Sequence, residues 1–180
     1  MINTTKYQYG DDFDFNPDDG LIKYEPKMES TMELIDDETY NTILEKMPVF
    51  CVDWLIACKG RYLLLKRTQQ PLKGQWWLIG GRLQKDETID EAGYRLQGRE
   101  IGRYCGKGEA VGFSNYFFPK LEDSRATHTP AVSFLVEVEE EFVPILDDTE
   151  DEYMWTDKLP LEYANQTTFF PNPPHYEGTV

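Results

Sequence analysis

Apolar and polar positions alternate along this chain in blocks that predict its elements. Tyr40, Ile43, Leu44 and Met47 recur at helical spacing, so a short helix is expected from about Asp37 to Lys46, capped by Asp36 or Asp37 and stopped by Pro48. Two apolar runs, CVDWLIAC and RYLLLKR, flank Lys59-Gly60 and read as a β-hairpin. Gln69 to Gly74 forms a loop, Trp76 to Ile79 a buried strand, and Gly80-Gly81 a tight turn. The adjacent tryptophans should point to opposite faces, one into the core and the other free to line a pocket. A central helix follows from about Glu87 to Ile101, with Asp86 or Thr88 near its cap and Gly102 as its stop. Ile89, Ala92, Leu96 and Tyr94 would face the core.

Downstream, GEAVGFSNYFF and PAVSFLVEVEEEF read as strands separated by the polar stretch PKLEDSRATHT. An acid-rich loop from Val143 to Asp151 leads into a short strand, EYMWT, and DKLPLEYANQTTFF begins a last helix. Strands on both sides of a central helix, with a helix at the end, predict an α+β fold in which helices cover both faces of a mixed sheet.

Composition adds limits. Residues 1–30 are acidic and poor in aliphatics, which predicts a flexible or loosely docked tail. The globular domain then spans 31–170, and 171–180 (PNPPHYEGTV) is irregular. Asp12, Asp14, Asn16 and Asp18 are spaced like a calcium loop, but Pro17 stands where that loop needs glycine and no Glu closes it. A net charge of −15 disfavours nucleic acid and anionic membranes as partners. Cys51, Cys58 and Cys105 are odd in number and lack metal spacing, so reduced thiols are expected. Neither a signal-like N-terminus nor a membrane-length apolar run is present, so a cytoplasmic protein is the expectation.

The candidate chemistry centres on the helix after the glycine turn. Glu91, Arg95 and Arg99 are spaced i, i+4, i+8 and share one face, with Glu87 and Glu100 on its flanks. A solvated face of ordinary ion pairs would look the same. Against that, Gly80-Gly81 lets backbone approach a ligand, and Arg82 and Arg67 stand at the turn and before its loop. Several arginines near a carboxylate suit a diphosphate held with a divalent cation. Asp53, inside an apolar strand, is either a site carboxylate or half of a structural ion pair.

Gly81, Glu87, Arg95, Glu100 and Gly102 fall on the Nudix box, Gly-x5-Glu-x7-Arg-Glu-x2-Glu-Glu-x-Gly, while Leu96 and Arg99 depart from it. The stretch KRTQQPLKGQWWLIGGRLQKDETIDEAGYRLQGREIG, and above all GGRLQKDET followed by Arg95-Leu96, resembles the GDP-mannose mannosyl hydrolases, an atypical Nudix branch. The likeness extends over about Met32 to Phe170, leaving out the acidic tail. It implies a Nudix fold and a homodimer acting on a small nucleotide sugar. It also implies Mg²⁺-dependent hydrolysis of GDP-mannose or a related GDP-hexose by water attack at the anomeric carbon, with inversion. By position, Glu100 and the Gly80 carbonyl would bind Mg²⁺. Arg67, Arg82 and Arg95 would stabilise the leaving diphosphate, and Asp53 would contact substrate or orient the base. The family's Gln-His pair, metal ligand and general base, is here Thr149-Glu150. Neither His128 nor His175 takes that place. Glu150 replaces the histidine, or the substrate or bond has shifted, or activity is reduced; the first is favoured. The competing readings are a pyrophosphohydrolase attacking phosphorus and a nucleotide-sugar-binding module without turnover.

Overall fold

The computed structural model describes residues 36–121 and 126–170. The acidic tail, the Asp12–Asp18 run, His175 and the C-terminal stretch lie outside the described residues.

Helix α1 (Asp37–Lys46) starts at Asp36, whose carboxylate accepts the Thr39 N–H at 2.8 Å, and it ends before Pro48. Strands β1 (Cys51–Cys58) and β2 (Arg61–Arg67) form the expected hairpin, with Lys59 and Gly60 at positive φ of 50° and 81°. The segment predicted as one strand is two: β3 (Trp76–Trp77) pairs with β2, and β4 (Ile79–Arg82) crosses to β1. This switch puts Trp77 in the core and packs Trp76, half-buried, against the same cluster rather than the opposite face. Helix α2 (Ile89–Ile101) begins two residues later than expected, because the Thr88 hydroxyl and Glu91 carboxylate close a reciprocal capping box. Gly102 ends it in the left-handed region at φ 67°.

Strands β5 (Glu109–Phe118), β6 (Thr127–Glu137) and β7 (Glu150–Thr156) follow, then α3 (Leu161–Gln166). Thr167–Phe169, expected within the last helix, is instead a strand, β8, paired with β5. β-branched threonines favour the pleated edge over the short helix. The eight strands form one mixed sheet along the path β3-β2-β1-β6-β5-β8, with β7 added to β2 and β4 to β1. Among the described residues, only the β1–β6 pair is parallel.

Alternate residues of β1 feed two apolar clusters. Val52, Trp54 and Ile56 pack with Ala92, Leu96 and Ile101 of α2, while Leu55 and Ala57 pack with Trp77, Tyr116 and Tyr163 of α3. The fold is therefore α+β with helices on both sheet faces. Among the described residues, no helix is long and apolar enough to cross a membrane.

Candidate active site

The core packing of α2 aims Glu100 at the glycine turn. Leu96 and Ile101 are buried, and so is the side chain between their faces, leaving Glu100 only 3% exposed. Its Oε2 accepts the Gly80 N–H at 3.1 Å. Gly80 pairs with Asp53 across β4 and β1. A Cβ on Gly80 would lie 2.3 Å from Asp53 Oδ1 and 2.6 Å from the Val52 carbonyl oxygen, so no larger residue fits between strand and carboxylate.

Asp53 is buried, and its Oδ2 has no hydrogen-bond partner. Burial, then the charge of Glu100, raises its pKa to about 7, against the pull of Arg67. Burial also raises Glu100, opposed by Arg99, the Gly80 N–H and Arg67. Arg67 therefore lies within electrostatic reach of both carboxylates, and its Nε donates to the Pro71 carbonyl at 2.9 Å. The β2–β7 register sets Arg67 opposite Glu150.

Glu150 completes the group from the other side. It is 6% exposed, and its carboxyl is hydrogen-bonded with the Thr149 hydroxyl. Burial, a hydrogen bond to Asp147 and the charge of Glu100 raise its pKa to about 8. Asp147 moves the other way. Burial would raise it, but hydrogen bonds from Glu150 and Thr149 and the nearby Arg99 hold it below the usual carboxylate range. Its Oδ1 takes the Thr149 N–H at 2.8 Å and the Thr149 hydroxyl at 2.6 Å. Glu150 thus keeps the proton of a carboxylate pair near neutral pH.

Asp53, Gly80, Glu100, Arg67, Thr149 and Glu150 are brought to one region by the fold. Two predicted arginines are engaged elsewhere. Arg95 grips Glu87 and donates to the Arg82 carbonyl at 3.0 Å. The Arg82 guanidinium sits 4.6 Å over the Tyr40 ring. The shared face of Glu91, Arg95 and Arg99 is also divided: Glu91 caps the helix, Arg95 holds Glu87, and Arg99 turns to Glu100 and Asp147. Asp147 and Arg99 are absent from the predicted set. The acid-rich loop marked the region of Asp147, and Arg99 stood out as a basic residue in an acidic slot.

Among the described residues, no three His, Cys, Asp or Glu side chains converge as a metal cage. The candidate donors are the Glu100 carboxylate, the Gly80 carbonyl and the Thr149 hydroxyl, all hard oxygens suited to a divalent cation such as Mg²⁺. Glu100 raises the pKa of both Asp53 and Glu150, and Asp53 Oδ2 is unpartnered. A bound cation would relieve that repulsion, so the residues present fit one.

The NUDIX domain model matches residues 46–171. The low-salt glycan biosynthesis protein Agl8 of Haloferax volcanii is 28% identical over 109 residues, covering 59% of this chain and 70% of that protein. The crystal structure of the MutT protein from Methanosarcina mazei Go1 superposes with a TM-score of 0.51 at 27% identity, over 62% of this chain and 78% of that one. The MutT NUDIX hydrolase from Burkholderia pseudomallei gives 0.48 at 21% identity, over 73% and 92%.

Proposed function

Since this chain belongs to the Nudix family of hydrolases, we propose that it hydrolyses a GDP-sugar, GDP-mannose or a related GDP-hexose, to GDP and free sugar by water attack at the anomeric carbon with inversion. The observation that carries this reading is the thinned box helix: Glu100 faces the glycine turn while the neighbouring acidic slot holds Arg99. Attack at phosphorus draws on several metal-holding carboxylates, whereas departure of a diphosphate from carbon needs charge stabilisation of the leaving group and a base for water. The likeness of the box segment to the mannosyl hydrolases supports the substrate class, and so does the kinship to a glycan biosynthesis protein.

In this mechanism Glu100, the Gly80 carbonyl and Thr149 would hold Mg²⁺, which when bound would offset the charge of the diphosphate. Glu150 is the general base. Its pKa of about 8 belongs to the metal-free protein, where the charge of Glu100 holds the proton on; a cation on Glu100 would offset that charge and free the Glu150 carboxylate to accept a proton from water. Asp147 positions Glu150 through Thr149, whose hydroxyl lies against both carboxyl groups. Arg67 faces the leaving diphosphate. Asp53 sits where it can accept a sugar hydroxyl or steer the water. Arg82 can turn from Tyr40 toward the diphosphate, whereas Arg95 serves by fixing the turn through Glu87 and the Arg82 carbonyl. The same resemblance supports a homodimer, which light scattering on the purified chain would test.

The deciding experiment is product analysis with GDP-mannose and Mg²⁺ in ¹⁸O-water. GDP plus labelled mannose is expected. GMP plus mannose 1-phosphate, with label on phosphate, would mean attack at phosphorus and overturn the mechanism. Binding of nucleotide sugars without turnover would favour a binding module.

A further inference from the structure

The loop that leads to Glu150 is folded onto the C-terminal end of α2, at Phe142 and again at Ile145. The Arg103 guanidinium lies 4.8 Å over the Phe142 ring. The Ile145 N–H donates to the Ile101 carbonyl at 3.1 Å, so the loop gives a donor to one of the carbonyls that a helix end leaves without a partner. A Cβ on Gly102 would lie 2.8 Å from Ile145 Cβ and 3.3 Å from its Cγ1 and Cδ1, so the bare glycine is the floor on which Ile145 sits. Phe142 and Leu146 pack against the same apolar cluster as Leu96 and Ile101. Phe142 is tied to β7 as well: its carbonyl accepts from Trp155 Nε1 at 3.1 Å, and the two rings meet edge to face.

The left-handed stop of the helix accounts for glycine at 102 by backbone alone. The contact with Ile145 is a second demand on the same residue. The Ile145 side chain is 60% exposed, so it adds little to the core. What it fixes is the place of the loop. Asp147 follows two residues later, accepts from the Thr149 N–H and hydroxyl, and through that hydroxyl meets Glu150. We propose that Ile145 is a positioning residue: seated on Gly102, it sets the loop so that Asp147 and Thr149 hold Glu150 in place beside Glu100. The inference rests on the reading of Glu150 as general base and deepens it. Gly102 then serves twice, as the stop of the helix that carries Glu100 and as the seat of the loop that leads to Glu150.

Gly102→Asn separates the two roles. Asparagine is the residue that replaces glycine at left-handed helix stops, so the stop survives, but its Cβ meets Ile145. Ile145→Ala trims the same contact without touching the helix. Both are compared with wild type by amide hydrogen exchange at residue 145 and by kcat and KM on GDP-mannose with Mg²⁺, alone and combined with Glu150→Gln. Thermal melts check that each protein is folded at the assay temperature. Protection of the residue 145 amide is expected to fall at least about tenfold, and kcat at least about tenfold with KM little changed. In the Glu150→Gln background the same changes should cost no further activity, because the group they position is gone. An equal further loss in that background would show a merely structural role and overturn the proposal. Unchanged protection would also overturn it, as would lost protection with full kcat. A wild type that protects this amide but turns over no GDP-sugar would remove the proposed reaction and the positioning role with it, leaving the seat a structural contact.

Discussion

Arg95 grips both carboxylate oxygens of Glu87, with Nε 2.6 Å from Oε1 and Nη2 2.8 Å from Oε2. The two side chains are 11% and 4% exposed. A forked pair this recessed leaves a buried, unpaired charge when one partner is removed. Arg95→Ala should therefore destabilise the fold by about 3 kcal/mol, and Arg95→Lys by less, because one of the two parallel bonds survives. Urea denaturation measures this. Unchanged stability with a lower kcat would instead put Arg95 on the substrate.

Glu150→Gln removes the proposed base and keeps its shape. A loss of roughly 10²–10⁴-fold in kcat is expected, with KM little changed. An unaltered rate would move the role to Asp148 or Asp151, which flank the Thr149-Glu150 pair.

Glu100→Gln keeps the contact with Gly80 through its amide oxygen but lacks the charge. Metal-dependent turnover and Mn²⁺ binding should both disappear. Full activity in this variant would remove Glu100 from the metal.

Gly80→Ala tests the close approach of β4 to β1. The added methyl would meet Asp53 Oδ1 and the Val52 carbonyl well inside contact distance. Relief requires moving a central strand, so a cost of about 1–3 kcal/mol or more is expected in denaturant melts. A stability equal to wild type would show that the turn has slack.

Asp53 gives the metal-free protein a pH signature. Its pKa is about 7 when folded against an ordinary 3.8, so between those values the folded state binds the extra proton. Stability from this group is full below the lower value and is lost as pH rises through the higher one. Glu150, raised to about 8, acts in the same direction. In chelator, the denaturation midpoint should fall between pH 5 and pH 8, and Asp53→Asn should flatten the slope. A midpoint that rises over this range would contradict the carboxylate crowding.

The parts of the fold legible in the sequence are those fixed by local chemistry. Asp36 and Pro48 bound α1, Lys59-Gly60 sets the hairpin, and Gly102 stops α2. The start of α2 was obscured because Glu87 looks like a helix residue, yet its carboxylate goes to Arg95 and to the Gln84 N–H at 2.8 Å. The box marked Glu100, and the wider resemblance to the mannosyl hydrolases added Gly80 and Asp53 to the same neighbourhood. Asp147 was not legible, since its role depends on a loop folding back so that one carboxylate meets Thr149, Glu150 and Arg99 together. The β8 strand was hidden for a similar reason: Thr167–Phe169 extends only because the β5 edge is there to pair with.

The parallel pairing of β1 with β6 sets Asp53 beside Ser133, strands drawn from opposite halves of the chain. Closing a loop of that length is a slow, late step compared with forming the β1–β2 hairpin or α2. Glu150 reaches the site through a second long-range pairing, β7 with β2, so Glu100 and Glu150 meet only once β7 has also joined the sheet. During refolding, helical signal should return first and turnover last, so that catalytic recovery times the joining of the sheet.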